Sequence, residues 1–259
     1  MDTSPRPVAL VTGASGGIGA ALARELARHG HDLVLAARGV AAMEALAGEL
    51  RQGGGAVTVV AADLAKPGAA ASLADEIARR GLAIDTLVNN AGLGAAGRFD
   101  RCDPARIGDI LQVNIVALTE LTRLLLPAMI ARGHGRVMLV ASVAGFQPGP
   151  HMAAYFASKA YVLNLGEALA YELRSTGVTV TTLCPGATAT NFFKAAGANE
   201  IALQPAMSAS EVARIGYQGL KSGRRVVITG VLNRILALGG RYAPHSLTLP
   251  ATAALMSRR

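Results

Sequence analysis

The chain has 259 residues, of which 51% are hydrophobic and 16% charged, and a formal net charge of +8. This balance can fill a substantial core, which excludes a disordered chain. The two cysteines, Cys102 and Cys184, are too few and too far apart for a disulfide framework or a metal-ligand motif, so we expect a reducing, cytoplasmic setting and no metal.

The basic residues are scattered, and their densest spots are pairs such as Arg79-Arg80 and Arg224-Arg225. A nucleic-acid site usually has a denser basic patch, so no nucleic-acid partner is expected. Residues 1–7 lead straight into an apolar run and have no signal-peptide core. Charged residues such as Arg123 interrupt the apolar stretches, so we expect no stable membrane insertion.

Short apolar runs alternate with longer amphipathic ones along the chain. The predicted strands, in chain order, cover residues 8–12, 32–37, 57–61, 86–88, 136–141, 178–183 and 225–229. The predicted helices cover residues 18–29, 40–52, 69–80, 104–129, 153–175 and 208–221. Strands that are apolar throughout indicate a parallel sheet with helices on both faces. We therefore predict an α/β fold: a single doubly wound Rossmann-type domain over residues 1–259, with about seven parallel strands.

Two segments fit this alternation poorly. Residues 188–205 look irregular, and we predict that they form a mobile substrate lid. Residues 232–259, called the apolar tail below, are apolar but interrupted by Gly239-Gly240, Pro244 and Pro250.

A glycine-rich turn, Thr12-Gly-Ala-Ser-Gly-Gly-Ile-Gly19, follows the first strand and opens the first helix. Glycines there permit a tight turn and the close approach of a pyrophosphate, whose charge the helix N-terminus favours. The spacing of Gly13, Gly17 and Gly19 differs from the G-x-G-x-x-G fingerprint, and Gly13, Gly16 and Gly19 fit a second spacing. The order of strand, turn and helix favours a phosphate-binding turn over one needed only for folding.

The second strand ends at Ala36-Ala37-Arg38 and carries no acid at its tip. An acid there would bind the ribose 2′-hydroxyl of a dinucleotide, whereas an arginine suits a 2′-phosphate. Arg38 can grip a phosphate through two N–H groups, and its charge opposes the dipole of the helix that it precedes. We therefore predict NADP(H) as the preferred cofactor and NAD(H) as a second option.

Tyr155 and Lys159 lie four residues apart in a predicted helix, so their side chains share one face. A phenol titrates near 10 when unperturbed, and a neighbouring ammonium group favours the phenolate. The pair is a candidate acid/base device for a carbonyl or an alcohol.

Together these motifs resemble the short-chain dehydrogenase/reductase family, in its short single-domain branch. The resemblance covers almost the whole chain and rests on Gly13/Gly17/Gly19, Asn89-Asn90-Ala91-Gly92, Asn114, Ser142, Tyr155-x-x-x-Lys159 and Pro185-Gly186. The second glycine spacing would also suit the longer epimerase-type branch. The Asn-Asn-Ala-Gly motif and the lack of a separate C-terminal substrate domain argue against that branch.

The resemblance implies a catalytic role for four residues. Tyr155 would be the acid when a ketone is reduced and the base when an alcohol is oxidised. Lys159 would hold the nicotinamide ribose and lower the pKa of Tyr155. Ser142 would hydrogen-bond the substrate oxygen, and Asn114 would organise a water between Lys159 and solvent.

The resemblance also implies the cofactor contacts. Asp63 would bind the adenine amino group, Asn90 would support the adenosine side, and Thr190 would hold the carboxamide. Thr188 stands where the family usually has Val or Ile, a departure close to that contact. The other implied contacts are Ser15, Ile18, Leu64, Ala91, Gly92, Pro185 and Gly186.

We predict an oxidoreductase that transfers a hydride between NADP(H) and a carbonyl or alcohol substrate. A hydrophobic ketone or secondary alcohol is favoured by the apolar tail and by Phe146, Pro148, Met152, Phe192 and Phe193, which could equally pack a lid or a subunit interface. The resemblance implies a homodimer or homotetramer. Two alternatives stay open: a catalytically silent NADP(H)-sensing regulator on the same fold, and a peripheral membrane lipid reductase that uses the apolar tail.

Overall fold

The computed structural model describes residues 6–197 and 206–256. Its strands are β1 Val8–Thr12, β2 Asp32–Ala37, β3 Val57–Ala61, β4 Ile84–Asn89, β5 Gly135–Val140, β6 Val178–Cys184, β7 Thr188–Ala189, β8 Met207–Ser208 and β9 Val226–Ile228. Seven of them form one parallel sheet in the order β3-β2-β1-β4-β5-β6-β9, and β7 pairs with β8. The predicted doubly wound α/β fold is confirmed.

The helices lie on both faces of the sheet. They are α1 Gly17–Arg28, α2 Val40–Arg51, α3 Ala69–Arg79, α4 Pro104–Leu111, α5 Leu118–Ala131, α6 Ala153–Glu172, α7 Phe192–Ala195, α8 Ala209–Lys221, α9 Val231–Tyr242 and α10 His245–Met256. Successive residues of β1 point to opposite faces, so Leu10 joins one apolar cluster while Ala9 and Val11 join the other. Burial on both faces explains why the strands consist mainly of apolar residues.

The predicted helix over residues 104–129 is not uniform. A stretch of wider π-helical turns, Gln112–Ala117, separates α4 from α5 and contains Asn114. Asn114 is fully buried, and its side chain bonds to the backbone of Leu93. A π-bulge of this kind is often found at a functional site, because it shifts the register of the side chains that follow.

Helix Pro104–Ala131, taken across these turns, is long and apolar enough to cross a membrane, with a mean hydropathy of 1.5. The expectation that Arg123 interrupts this stretch enough to make it unlike a membrane span is therefore wrong on length and composition. Leu121 and Met129 of this helix are nevertheless fully buried in the apolar core beside the sheet. Core helices of soluble proteins pass the same test, so the match is weak evidence for a membrane span.

The apolar tail, for which the sequence suggested interruptions, forms α9 and α10. Gly239 and Gly240 lie within α9, and Pro250 lies within α10. A Cβ at Gly240 would come within 2.5 Å of Gln147 Oε1, so this glycine lets α9 approach the segment of residues 143–147, which follows β5, closely. Of the predicted lid, residues 188–197 contain β7 and α7, and residues 198–205 lie outside the described residues.

The strand order reverses between β1 and β4, whose outward neighbours continue in opposite directions. In such sheets a crevice opens at the carboxyl ends of the strands, where ligands bind. Most of the predicted site motifs follow a strand at this edge, whereas Asn114, Tyr155 and Lys159 lie on helices beside it, so the fold brings together segments that are far apart in the chain.

Candidate active site

A cleft of about 1440 Å³ runs along the carboxyl ends of the strands. One half is bordered by the turn after β1 and by the ends of β2, β3 and β4. The other half is bordered by α6, α7, α9 and α10. All the predicted cofactor and catalytic residues line the cleft except Gly19 and Asn114, which lie directly behind its wall.

The turn after β1 can be made only from glycine at two points. Gly13 has a φ of +65°, and a Cβ there would lie 2.8 Å from Asn90 Nδ2. A Cβ on Gly19 would lie 2.3 Å from the Gly13 carbonyl oxygen. Asn90 Nδ2 donates to the carbonyl oxygens of Thr12 and Gly13, at 2.9 and 3.3 Å, and so fixes the turn.

Thr12 is a structural residue of this site that the sequence did not single out. Its Oγ1 accepts hydrogen bonds from the backbone N–H groups of Asn90 and Ala91, at 3.0 and 3.1 Å. These two bonds join the end of β1 to the Asn-Asn-Ala-Gly segment after β4. A Thr at the end of a buried strand was the available signal, but its partners are 78 and 79 residues away.

Helix α1 begins with its N-terminus facing the cleft. No side chain caps this end, and its first turn contains no acid. Ser15, Gly16, Gly17 and Ile18 line the cleft there. Uncapped N–H groups and the positive end of the helix dipole make this turn a fitting site for a pyrophosphate.

Arg38 and Asp63 stand at the far end of the same half. Arg38 is exposed at the tip of β2, and its guanidinium makes no hydrogen bond or ion pair with any residue in the described ranges. The Oδ1 atom of Asp63 accepts a bond from the Ala65 N–H at 3.3 Å, and its other oxygen is available to a ligand. Leu64 is buried in the core. A free guanidinium at this position fits an anionic group on a nucleotide ribose.

Lys159 is a buried ammonium in the middle of the cleft. Its Nζ donates to the Val140 carbonyl at 2.8 Å and lies 5.8 Å from the centroid of the Tyr155 ring. Burial lowers the pKa of Lys159 to about 8, and the neighbouring Cys184 thiol works in the opposite direction. The sequence prediction that Tyr155 and Lys159 share one site is consistent with this geometry.

Tyr155 is half-buried beside Ser142. Burial raises the pKa of Tyr155 to about 12, and a hydrogen bond with Ser142 partly opposes that rise. Ser142 Oγ also accepts from the Ala144 N–H at 3.1 Å and donates to the Pro185 carbonyl at 3.4 Å. In this structure burial dominates the pKa of Tyr155 and Lys159 bonds to Val140, so the lowering of that pKa by Lys159 stays a prediction.

Asn114 serves the site through the backbone of Leu93. Its Oδ1 accepts from the Leu93 N–H at 2.8 Å, and its Nδ2 donates to the Leu93 carbonyl at 3.0 Å and to Ser158 Oγ at 2.9 Å. Both amide hydrogens are therefore used within the protein. A water between Lys159 and solvent would have to be held by an atom other than this amide nitrogen.

The segment after β6 closes the middle of the cleft. Thr188 Oγ1 donates to the Gly186 carbonyl at 3.0 Å, and Thr190 Oγ1 donates to the Thr188 carbonyl at 3.4 Å. A Cβ on Gly186 would lie 2.2 Å from Asn233 Nδ2, so glycine lets α9 pack against this turn. Thr188 is buried, and its hydroxyl is satisfied by the bond to the Gly186 carbonyl.

The other half of the cleft is apolar. The Phe192 ring lies 5.1 Å from the Tyr155 ring, centroid to centroid. The apolar residues that line this half are Met152, Phe156, Phe192, Phe193, Leu232, Leu236, Leu247, Leu255 and Met256. The predicted lining residues Phe146 and Pro148 are not among the cleft residues, and Phe146 is buried in the core instead.

With this geometry in place, the chain can be compared with known proteins. Residues 7–201 match the family described as short chain dehydrogenase. The chain belongs to the short-chain dehydrogenase/reductase family and is an oxidoreductase, which confirms the predicted resemblance.

Three comparisons show where it stands in that family. The ketoacyl reductase HetN of Nostoc sp. is 34% identical over 186 residues, which are 72% of this chain and 65%, just under two thirds, of that protein. A short-chain dehydrogenase from Sphingobium yanoikuyae, solved in complex with NADPH, is 36% identical with a TM-score of 0.82 and covers 98% of this chain and 96% of its own. The bulky-bulky ketone specific alcohol dehydrogenase from Comamonas testosteroni is 30% identical with a TM-score of 0.79, over 99% and 96% of the two chains.

Proposed function

We propose that this protein is an NADP(H)-dependent oxidoreductase that interconverts a hydrophobic ketone and its secondary alcohol, with residues 1–259 acting as one catalytic domain. The observation that carries the proposal is the position of Tyr155, Ser142 and Lys159. They lie where the glycine-rich, anion-binding half of the cleft meets its apolar half.

The first half of the cleft suits NADP(H). The uncapped end of α1 would bind the pyrophosphate, Arg38 the 2′-phosphate and Asp63 the adenine. Lys159 would hold the nicotinamide ribose, and the segment Pro185–Thr190 would hold the carboxamide. When bound, NADPH supplies a hydride to the carbonyl carbon. The complex of the Sphingobium relative with NADPH supports this assignment, and a relative from Burkholderia phymatum solved with NAD keeps NAD(H) as a second option.

Tyr155 is the proposed proton donor to the carbonyl oxygen. With a pKa of about 12, the phenol keeps its proton throughout the neutral range. Ser142 would donate a second hydrogen bond to the same oxygen and stabilise the negative charge that develops there. In the reverse direction the Tyr155 phenolate would take the proton of the alcohol.

The apolar half of the cleft argues for an uncharged, hydrophobic substrate. Leu232 and Leu236 of α9, Leu247 of α10 and Met152 and Phe192 face the space beside Tyr155. A carboxylate or phosphate placed among them would lose its hydration without gaining a counterion. The bulky-bulky ketone specificity of the Comamonas relative supports the same class.

The test is a panel of ketones, from small methyl ketones to ketones with two bulky substituents, assayed with NADPH and with NADH. We expect turnover with NADPH that increases with the apolar size of the ketone, by up to about fourfold for each buried methylene. Carboxylated analogues of equal size should be poor substrates. Tight NADPH binding without turnover of any ketone would contradict the proposal and favour a cofactor-sensing regulator.

A further inference from the structure

Arg106, near the start of α4, donates hydrogen bonds from its guanidinium to two backbone carbonyls beside the cleft. Its Nε and Nη2 donate to the Gly94 carbonyl at 3.2 and 2.9 Å, and Nη2 also donates to the Ala195 carbonyl at 3.4 Å. No carboxylate in the described part of the chain pairs with this arginine. A guanidinium with carbonyl partners alone makes charge-assisted bonds that position backbone segments.

The two carbonyls belong to segments that meet over the active site. Gly94 lies in the loop after β4, and Ala195 is the last residue of α7. A backbone bond from the Ala96 N–H to the Ala196 carbonyl, 2.8 Å long, joins the same segments. Arg106 therefore reinforces a contact between the loop and the C-terminal end of α7.

Gly94 allows α7 to come this close. A Cβ at Gly94 would lie 2.8 Å from Phe192 Cζ and 3.3 Å from Ala196 Cβ. The absence of a side chain thus leaves room for the Phe192 ring, which lies against both Gly94 and the Tyr155 ring.

Helix α7 has only four residues, so it is too short to be stable on its own. Its position must come from tertiary contacts. At its C-terminal end these are the hydrogen bonds from Arg106 and Ala96, together with the packing of Ala196 in a small apolar cluster with Met152 and Phe156. A cation at that end is also favoured by the exposed carbonyl groups of the final turn.

We propose that Arg106 is a positioning residue that latches α7, and with it Phe192, over Tyr155. The latch closes the substrate end of the cleft and leaves the cofactor end unchanged. Its consequence for catalysis rests on the proposed function, whereas the latch itself can be measured without any substrate.

The first experiment measures α7 directly in the full-length protein. Amide hydrogen exchange over residues 192–197 and tryptic cleavage after Lys194 are compared between the wild type and Arg106→Met, which keeps an apolar stem but no donors. We expect exchange and cleavage to be about tenfold faster in the variant, because a bond to a charged group is lost. Arg101→Met is the matched control and should behave like the wild type, because Arg101 is exposed and its guanidinium has no partner in the described ranges. Equal rates in Arg106→Met and the wild type would overturn the latch.

The second experiment separates positioning from a general loss of structure. In Arg106→Met we expect the KM for a bulky ketone to rise roughly fivefold or more, because the closed state becomes less populated, while the KM for NADPH stays within twofold. Arg106→Lys should recover part of the loss, since an ammonium can still donate to Gly94. Gly94→Ala should raise the KM for the bulky ketone in the same way, because the added methyl group displaces Phe192.

An equal rise in both KM values would overturn the proposal. If the wild type reduced no ketone, the proposed function would fail while the exchange data still decided the latch.

Discussion

Lys159 shows how one buried group couples this site to pH. The chain places an ammonium beside the Val140 carbonyl, and no carboxylate among the described residues forms an ion pair with it, so burial lowers its pKa from the ordinary 10.5 to about 8. The unfolded chain keeps the proton up to about pH 10.5, but the folded protein releases it near pH 8. Above pH 8 the unfolded state therefore binds more protons, and the free energy of unfolding should rise with pH.

We expect this rise between pH 8 and 9, on the order of 1 kcal/mol relative to Lys159→Met, because one proton difference contributes about 1.4 kcal/mol per pH unit. At higher pH, burial raises the pKa values of Cys184 and Tyr155 to about 12, and these groups oppose the rise. Urea unfolding of both proteins at pH 7, 8 and 9 would measure the difference. Parallel curves for the two proteins would show that Lys159 is not the cause.

Arg38 should decide between the two dinucleotides. We predict that Arg38→Asp raises the KM for NADPH at least tenfold and changes the KM for NADH by less than threefold, because charge-assisted bonds to a 2′-phosphate are lost. The measurement is steady-state kinetics with both cofactors at a saturating ketone concentration. Equal effects on the two KM values would mean that Arg38 does not contact the 2′-phosphate.

For individual residues, the sequence predicted which side chains lie together on one helix better than which residues of different elements contact each other. The i,i+4 spacing was enough to place Tyr155 and Lys159 on one helix face. Nothing local indicated that Lys159 bonds to Val140 or that Asn114 bonds to Leu93, since those partners are set by how the helices pack. The burial that raises the pKa of Tyr155 was hidden for the same reason, because burial is a property of the folded chain.

Two glycine-to-alanine substitutions, one in the glycine-rich turn after β1 and one in helix α2, form a matched pair. Gly19→Ala would put a Cβ 2.3 Å from the Gly13 carbonyl, whereas Gly48 lies exposed inside α2 with no described atom within 4 Å of an added Cβ. We predict that Gly19→Ala abolishes NADPH binding, and that Gly48→Ala stabilises the protein by about 0.5–1 kcal/mol and binds NADPH normally. Calorimetric titration and thermal unfolding of both variants are the measurements. Normal NADPH binding by Gly19→Ala would contradict the assigned role of the turn.

Element boundaries in the first half of the chain could be predicted closely, because glycines mark them, such as Gly30 after α1 and Gly53 after α2. The π-helical turns at Asn114 could not, since their cause is the distant backbone of Leu93. The sequence also treated the glycines and prolines of the apolar tail as interruptions. In the structure, tertiary packing against Gln147 and the cleft overrides that local preference, and α9 and α10 form.

Exposed apolar and aromatic side chains lie on the outer face of the molecule, on the helices next to Asn114 and Tyr155. Leu124 of α5 and Tyr161 and Tyr171 of α6 are 47%, 38% and 61% exposed. The strand–helix alternation predicted the sheet beneath these helices, but one sequence cannot show which outer face meets a second subunit. We propose that this face forms the interface of a homodimer or homotetramer.

The prediction is that Leu124→Glu shifts the protein toward the monomer, because a charge would be buried without a partner. Light scattering coupled to size-exclusion chromatography would give the mass of each species. Val40→Glu, the same kind of change at a residue of α2 that is 43% exposed, is the control and should keep the wild-type mass. An unchanged oligomer in Leu124→Glu would place the interface elsewhere.

The proposed reaction depends on Tyr155, which gives a proton to a ketone oxygen inside an NADPH-binding cleft. The most direct test measures NADPH affinity and single-turnover ketone reduction in the wild type and in Tyr155→Phe, which removes one hydroxyl from a ring packed by Phe192. We predict that the rate falls by about 10³-fold or more, while the Kd for NADPH stays within twofold. Reduction at the wild-type rate by Tyr155→Phe would show that Tyr155 is not the proton donor.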